Sequence, residues 1–269
     1  MYEKTSKKTF AKRSFGQNFL VDPRYIRKII DSLTLTNEDT VVEIGAGRGA
    51  LTEILVEKAG KVFAIELDRD LIPILRERFG SLTVFELVDA DALTLDFAAL
   101  TVGDSKPKLV ANLPYNISTA ILQRLTQQRW IFSEMTLMFQ KEVVDRITAR
   151  VGTRDRGYLT LLVESAFKAT KLFDVPGSAF RPMPAVTSSM VRLVPIDSNI
   201  KDQQLFRKIV GQGFMQRRKT MANNFKSTLT GANQLLEICG IDPNRRAETL
   251  TLIEWIAFAD AMAARSKPT

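Results

Sequence analysis

Four consecutive residues, Asn112-Leu-Pro-Tyr115, combine the groups needed to hold a flat ring that carries an amine. The Asn112 side chain supplies one carbonyl acceptor and two amide donors, and the Tyr115 ring offers a face for stacking. Pro114 fixes its own φ and lacks an N–H, so the loop is rigid. The preceding apolar run, Leu109-Val-Ala, predicts a buried strand that ends in this loop. A plain strand-end turn would use the same residues, so the rest of the chain has to decide.

A strand, a glycine turn and a helix occur together near residue 45. The predicted strand Thr40–Ile44 runs into Gly45-Ala-Gly-Arg-Gly49, and a helix is predicted over 50–58. Glycine lets the backbone approach a ligand closely, and the first turn of the helix directs free N–H groups toward it. This pattern is typical of a nucleotide-binding βα unit.

Two acids follow at the ends of the next two predicted strands. Glu66 ends the strand 61–65, 21 residues after Gly45, a spacing at which a carboxylate accepts hydrogen bonds from ribose hydroxyls. Asp91 follows the strand 82–88, where its carboxylate could accept from an adenine amine or simply cap a helix.

The strand and helix alternation continues through 108–112, 119–129, 134–139 and 141–149, which predicts an α/β fold with a Rossmann-like, mostly parallel sheet. The strands near 171–175 and 188–194 are too close in sequence for a crossover helix, so the last strand should be antiparallel. Ligands bind at the carboxyl ends of parallel strands. We therefore expect Gly45, Glu66, Asp91 and Asn112 to meet at one edge.

The length of 269 residues suits one large domain and one small domain. The β pattern stops at 195–199 and helical periodicity follows, which predicts a sheet domain over 1–195 and a helical domain over 196–269. Residues 1–14 are polar and basic, and we expect a mobile arm. No apolar run approaches the roughly 20 residues that span a bilayer, and the N-terminus lacks a secretory signal, so a cytoplasmic location is predicted.

The net charge of +8 is concentrated at the two ends of the chain, with +3 in residues 1–40, +1 in 41–195 and +4 in 196–269. A polyanion bound by both ends would explain this distribution, and so would solubility. Arg217, Arg218 and Lys219 lie between two predicted helices and suit a phosphate backbone, although a solvated turn has the same composition. The composition of the arginine-rich loop 151–157 fits a solvated connector and a phosphate contact equally well.

Histidine is absent and Cys239 is the single cysteine. Zinc sites and Ser-His-Asp chemistry are therefore disfavoured, and we expect no metal. Cys239 lies in an apolar helical pattern, where it is expected to pack as a small hydrophobic residue.

Together these patterns resemble the small-subunit ribosomal RNA adenine dimethyltransferases, the kasugamycin-sensitivity methyltransferases, over nearly the whole chain. The motifs that carry the resemblance are Phe15-Gly-Gln-Asn-Phe-Leu20, Glu43-Ile-Gly-Ala-Gly-Arg-Gly-Ala-Leu-Thr52, Ile65-Glu-Leu-Asp68, Asp89-Ala-Asp91, Asn112-Leu-Pro-Tyr-Asn-Ile117, Phe139-Gln-Lys-Glu142 and Gln216-Arg-Arg-Lys-Thr220. Asn-Leu-Pro-Tyr directly after a strand is the most specific of them. The loop after Phe180 departs from the family's proline-rich form at Arg181 and Met183.

The resemblance implies S-adenosylmethionine as methyl donor, held by Asn18, Leu20, Gly45, Gly47, Glu66, Asp91 and Asn112. Glu66 would bind the ribose and Asp91 the adenine of the donor. A target adenosine, flipped out of the RNA, would lie between Tyr115 and Phe180. Its amine would donate to Asn112 and to the Leu113 or Pro114 carbonyl.

The family's activity implies that two adjacent adenosines near the 3′ end of small-subunit RNA each receive two methyl groups. The implied partners are this RNA and the immature small subunit, and a monomer is expected. Three alternatives remain at this point: a nicotinamide oxidoreductase, suggested by Gly45, Gly47 and Ala50; the large-subunit RNA methyltransferase of macrolide resistance; and a non-catalytic assembly or RNA-binding factor on the same scaffold.

Overall fold

The computed structural model describes residues 17–103 and 105–266, so the arm predicted at 1–14 lies outside the described residues. The chain divides into two compact units. Unit 1 comprises Met1–Val144 and Thr170–Pro195, and unit 2 comprises Asp145–Ala169 and Ile196–Thr269. Within the described ranges, no helix is long and apolar enough to cross a membrane.

One predicted boundary, after residue 195, coincides with a division between the units. The segment 145–169, which the sequence assigned to the sheet domain, groups instead with the C-terminal helices. The physical reason is packing: Leu161, in the helix Tyr158–Glu164, is fully buried in the apolar cluster of unit 2. Periodicity could not show this, because an amphipathic helix does not reveal which partner buries its apolar face.

A seven-stranded sheet with helices is the frame of unit 1. Its elements are β1 (Phe19–Leu20), α1 (Pro23–Ser32), β2 (Thr40–Ile44), α2 (Thr52–Lys58), β3 (Lys61–Glu66), α3 (Ile72–Phe79), β4 (Phe85–Asp89), β5 (Lys108–Asn112), α4 (Ser118–Gln127), β6 (Glu134–Gln140), the start of α5 (Lys141–Ile147), most of β7 (Phe167–Val175), β8 (Phe180–Arg181) and β9 (Ser188–Pro195). The sheet order is β4-β3-β2-β5-β6-β9-β7, and β1 pairs with β8 in a separate two-stranded sheet.

The strand directions agree with the predicted sheet. The strands β4, β3, β2, β5 and β6 are parallel to their neighbours, whereas β9 runs antiparallel to β6. The central strand β2 is buried along its whole length, as expected where helices cover both faces of a parallel sheet. The carboxyl ends of β2, β3, β4 and β5 therefore share one edge.

Local sequence explains how α1 begins and packs against the sheet. Asp22 caps α1, its carboxylate accepting a hydrogen bond from the Arg24 N–H at 2.9 Å, and Pro23 occupies the first turn. The apolar face of α1 then places Ile29 and Ile30 in the unit 1 core with residues of β2 and β3. This packing fixes the segment that carries Asn18 beside the sheet edge.

Unit 2 is helical in its described part. It contains the end of α5, then α6 (Tyr158–Glu164), α7 (Gln203–Gly213), α8 (Met221–Phe225), α9 (Ala232–Ile238) and α10 (Leu252–Ser266). Its core is built around Trp255, which stacks on Phe214 at 5.7 Å, and around an edge-to-face pair of Phe225 and Phe258 at 5.1 Å. Gly213 allows the Trp255 ring to approach, since a Cβ at this position would lie 2.2 Å from the ring.

Candidate active site

A cavity of about 190 Å³ lies in unit 1 at the carboxyl ends of the parallel strands. The predicted residues that line it are Asn18, Gly45, Gly47, Glu66, Asp91, Asn112, Leu113, Pro114 and Tyr115. These residues come from five separate segments, and the sheet brings them together as the strand-end argument required.

The glycine turn and Glu66 form one wall of the cavity. Gly45 and Gly47 both have positive φ angles, +73° and +62°, which an L side chain rarely adopts. The Glu66 carboxylate accepts hydrogen bonds from the backbone N–H groups of Gly47 at 2.8 Å and of Leu67 and Asp68 at 2.9 Å. A carboxylate offers about four lone-pair sites, so this locked group can still accept from a ribose hydroxyl.

Asp91 stands at the next strand end. One oxygen of its carboxylate, Oδ1, caps the Leu93 N–H at 2.8 Å. The other oxygen has no hydrogen-bond partner among the described residues, and Asp91 lines the cavity. The capping role considered for Asp91 is therefore present, and it leaves one acceptor available to an amine.

The Asn112 loop forms another part of the cavity lining. The Asn112 side-chain amide donates to the backbone carbonyl of Asn18 at 3.3 Å, which orients the side-chain oxygen away from that bond. This oxygen has no partner within the described part of the chain. The Pro114 carbonyl already accepts from the Ile117 N–H at 3.2 Å. Leu113 is buried, and its carbonyl accepts no backbone hydrogen bond from the described residues.

Tyr115 is half-buried, and its hydroxyl is 2.7 Å from the Ser188 hydroxyl. Ser188 is fully buried at the start of β9, so this bond holds the ring in one orientation. Burial raises the pKa of the Tyr115 phenol, and the Ser188 hydrogen bond acts in the opposite direction. The ring is therefore held as a neutral stacking surface.

Glu43 is a buried acid in the motif that precedes the glycine turn. It is 2% exposed, and its carboxylate accepts from the Thr52 hydroxyl at 2.6 Å. Burial raises the pKa of Glu43 to about 7, against the effect of the Thr52 hydrogen bond and together with repulsion from Glu66. The carboxyl group is thus partly protonated at neutral pH.

Two predicted residues do not line the cavity. Leu20 and Phe180 are paired across the short ladder between β1 and β8, and both side chains are buried in the unit 1 core. Phe180 is 1% exposed, its ring enclosed by the unit 1 core in this structure, and its stacking on a base stays a prediction. An apolar ring beside an apolar core is stabilised by burial there. The sequence pattern alone does not reveal whether the ring enters the core or faces the cavity.

The predicted phosphate contacts lie in unit 2, where Arg217, Arg218 and Lys219 are all exposed. Arg217 has a structural role as well, because its guanidinium donates to the carbonyls of Arg154 and Arg156. In the arginine-rich loop 151–157, Arg156 is 1% exposed and forms an ion pair with Glu164 at 2.8 Å. This arginine is therefore a structural residue, and the turn 217–219 stays a predicted RNA contact.

Sequence reasoning missed Ser188 and assigned no role to Glu43. A signal for Ser188 existed, since Ser188 and Ser189 are consecutive serines at the start of a strand whose next residues, Met190 and Val191, are apolar. Its partner, Tyr115, is 73 residues away, and only the sheet pairing of β6 with β9 explains the meeting.

The carboxylates of Glu66 and Asp91 and the Asn112 side-chain oxygen can each accept a hydrogen bond from a nucleoside, and the sheet is Rossmann-like with a reversed strand next to β6. These features define a class of protein, the Rossmann-like nucleoside-binding proteins.

Comparison with known proteins resolves the family. The chain matches the family described as Ribosomal RNA adenine dimethylase over residues 8–264. The Ribosomal RNA small subunit methyltransferase A of Aromatoleum aromaticum is 45% identical over 261 residues, covering 95% of this chain and 96% of the relative. The protein of the same name from Acinetobacter baylyi is 43% identical over 255 residues, covering 94% and 92%.

A solved structure agrees with the sequence relatives. The crystal structure of a dimethyladenosine transferase from Plasmodium falciparum superposes with a TM-score of 0.77 at 27% identity, covering 89% of this chain and 95% of that one. The chain therefore belongs to the ribosomal RNA adenine dimethylase family and is an S-adenosylmethionine-dependent enzyme. The predicted family, reaction class, methyl donor and fold are confirmed, and the nicotinamide oxidoreductase is excluded.

Proposed function

We propose that this enzyme transfers methyl groups to the 6-amino groups of two adjacent adenosines near the 3′ end of small-subunit ribosomal RNA, two groups to each. The observation that carries the proposal is the Asn112 side-chain oxygen, which has no partner among the described residues and shares a cavity with Glu66 and Asp91. The names of the two bacterial relatives support the small subunit over the large subunit as substrate.

The donor nucleoside is proposed to occupy the wall formed by Gly45, Gly47, Glu66 and Asp91, with Asn18 beside it. Glu66 would accept from the ribose diol, and the available Asp91 oxygen from the adenine amine. Both acids keep their backbone hydrogen bonds in this arrangement. The site is therefore organised before the donor arrives, which lowers the entropic cost of binding.

The target adenosine is proposed to leave the RNA stack and lie on the Tyr115 ring. Extrusion of a base costs a few kcal/mol and costs least in a loop. The two N–H bonds of its amine would point to the Asn112 side-chain oxygen and to the Leu113 carbonyl. Leu113 suits this better than Pro114, whose carbonyl already accepts from Ile117.

These two hydrogen bonds would favour a pyramidal nitrogen, whose lone pair is then less delocalised into the ring and directed toward the methyl group. The nitrogen then forms a bond to the methyl carbon, the carbon–sulfur bond breaks, and its electron pair stays on sulfur, which becomes a neutral thioether. The nitrogen afterwards releases one proton to solvent. Catalysis depends on positioning and electrostatics. After one transfer the amine keeps one N–H, whose proton is lost in the second methyl transfer.

RNA binding by the exposed turn 217–219 of unit 2 completes the proposal, through neutralised phosphates and released counterions. The proposed substrate particle is the immature small subunit. A monomeric state and a cytoplasmic location, where such particles mature, belong to the same proposal.

The experiment is transfer of radiolabelled methyl groups to small subunits isolated from cells that lack the enzyme, followed by separation of the nucleosides. We expect dimethyladenosine at two adjacent positions. Label on large-subunit RNA instead would replace this proposal with the macrolide-resistance reaction. Binding to the particle without any transfer would replace it with an assembly factor.

A further inference from the structure

The segment 17–20 connects two strand ends at the cavity of unit 1. The side-chain amide of Gln17 donates to the Asp68 carboxylate, just after β3, at 2.8 Å. The backbone carbonyl of the next residue, Asn18, accepts from the Asn112 side-chain amide, at the end of β5, at 3.3 Å. Gln17, Asn18 and Asn112 all line the cavity. Two consecutive residues therefore link the end of β3 to the group proposed to hold the target amine.

Asp68 is a fixed anchor for this segment. It is 3% exposed. Its backbone N–H donates to the Glu66 carboxylate at 2.9 Å, and its Oδ1 accepts from the Asp70 N–H at 3.1 Å. The other oxygen, Oδ2, is the acceptor for Gln17, and hydrogen bonds to a carboxylate are among the stronger ones. The Gln17 side chain is therefore tied to the rigid edge of the sheet.

The other side of Asn18 is held by the ring of Phe19. Phe19 begins the ladder between β1 and β8. Its ring lies against Gly47, where a Cβ would be 3.4 Å from it, and the Arg48 guanidinium is 4.6 Å from the ring centroid. The Asn18 carbonyl thus lies between an anchor at Gln17 and an anchor at Phe19, and loss of either would let it move.

The orientation of the Asn112 amide depends on the position of this carbonyl. At 3.3 Å their hydrogen bond is already long, since N–H···O bonds have N···O distances of about 2.7–3.2 Å. A shift of the Asn18 carbonyl by roughly half an ångström would break the bond, and the amide could then turn over. A reversed amide presents its NH₂ group to the target amine, and two donors cannot hydrogen-bond to each other.

On this basis, and resting on the proposed function, we propose that Gln17 is a positioning residue for methyl transfer. Its hydrogen bond to Asp68 holds the Asn18 carbonyl in place. That carbonyl holds the Asn112 amide and so keeps the amide oxygen directed at the target amine. Because Glu66 is bonded to the same Asp68, the donor wall and the acceptor for the target amine share one anchor.

The first test exchanges the donor and the acceptor of the Gln17–Asp68 pair. Gln17→Glu places two carboxylates where the 2.8 Å bond was, and like charges repel. We expect kcat at saturating RNA and S-adenosylmethionine to fall by about 10- to 30-fold, as for a displaced transition-state contact. Adding Asp68→Asn gives the pair one donor and one acceptor again, so kcat should return to within about threefold of the wild-type value.

The KM for RNA should stay within about twofold in both variants, because the proposed effect lies in the orientation of Asn112 and not in RNA binding. The matched control is Gln123→Glu, which makes the same change of charge at an exposed position of α4 in unit 1. Its kcat should equal that of the wild-type enzyme.

The second test asks whether Gln17 acts through Asn112. Gln17→Glu is added to Asn112→Ala, and single-turnover methyl transfer is measured. The Asn112→Ala enzyme has no amide at this position to orient, so the added change should lower its rate by less than about twofold. Thermal unfolding of the same preparations should show that Gln17→Glu has the stability of Gln123→Glu.

An unchanged kcat in Gln17→Glu would overturn the inference. A loss that Asp68→Asn does not reverse would assign Gln17 a direct contact with the donor and overturn it, as would additive losses from Gln17→Glu and Asn112→Ala. A fall in thermal stability that accounts for the lost rate would show a merely structural role and overturn it as well. The proposed function is judged separately, by whether the wild-type enzyme forms dimethyladenosine at two adjacent positions of small-subunit RNA.

Discussion

The two units hold their functional charges in opposite ways. In unit 1, the Glu66 carboxylate is buried and bonded to three backbone N–H groups, and Asp91 is bonded to one. In unit 2, the cations of the turn 217–219 are exposed, and only Arg217 has its guanidinium on backbone carbonyls. Methyl transfer requires atoms fixed within a fraction of an ångström, whereas a polyanion is bound by charges that adapt to it. Substitutions in unit 1 should therefore change chemistry, and those in unit 2 affinity.

The largest effect is expected from Asn112→Ala. We expect kcat to fall by about 10²- to 10³-fold, the loss typical of removing one preorganised hydrogen-bonding group from a transition state. RNA affinity should change by less than about twofold, because the amine is the only part of the RNA that this side chain is proposed to contact. Single-turnover transfer and RNA binding should be measured on the same preparation, with Asn37→Ala, at an exposed position of unit 1, as control. Loss of RNA binding with unchanged turnover on saturating RNA would contradict the role assigned to Asn112.

Glu43→Gln tests how the buried carboxyl group of Glu43 affects the pH dependence of the free energy of unfolding. The Glu43 pKa is about 7 in the folded protein and 4.5 ordinarily, so between these values the folded state holds a proton that the unfolded state has lost. Wild-type stability therefore falls as pH rises from 4.5 to 7, by about 3 kcal/mol in total. The variant should lack this decrease.

Urea unfolding of the Glu43→Gln protein at pH 5 and pH 8, followed by circular dichroism, measures this difference. Glu86→Gln, at an exposed position of β4, is the control and should keep the wild-type pH dependence. Parallel stability curves for the wild type and Glu43→Gln would show that Glu43 is not protonated in the folded protein.

Arg217→Ala and Arg218→Ala separate RNA binding from structural stabilisation in the basic turn of unit 2. Arg218→Ala should weaken RNA binding by roughly threefold to tenfold and reduce the salt slope by about one, with stability unchanged. Arg217→Ala should also lower the free energy of unfolding by about 1 kcal/mol, because two carbonyls lose their donor. Filter binding at several salt concentrations and thermal unfolding measure the two effects. A fall in kcat at saturating RNA for either variant would break the division between the units.

The smallest effect is expected from Ser188→Ala, which frees the Tyr115 hydroxyl. One neutral hydrogen bond contributes about 0.5–1.5 kcal/mol, so kcat should fall by roughly twofold to tenfold. Tyr115→Phe should give a similar loss, and the double variant no more than either alone, since both remove the same bond. Additive losses would mean that Ser188 does not act through the tyrosine.

The strand-end argument predicted most of the cavity from sequence. Gly45, Glu66, Asp91 and Asn112 are spaced by single βα units, and a parallel sheet brings such positions to one edge without further information. Ser188 and Phe180 could not be placed in this way. They lie in the antiparallel part of the fold, where pairing across long loops decides which side chain faces the cavity and which enters the core.

The sequence by itself determined the sheet, the order of the groups along its edge and the family, because these follow from local periodicity and from motifs whose residues are close together. Only the tertiary structure decided that 145–169 packs with the helical unit, that Phe180 is buried, that Arg217 bonds to carbonyls of its own unit and that Ser188 fixes Tyr115. Each of these depends on contacts between segments far apart in sequence, where burial and hydrogen bonding select one partner from many of similar composition.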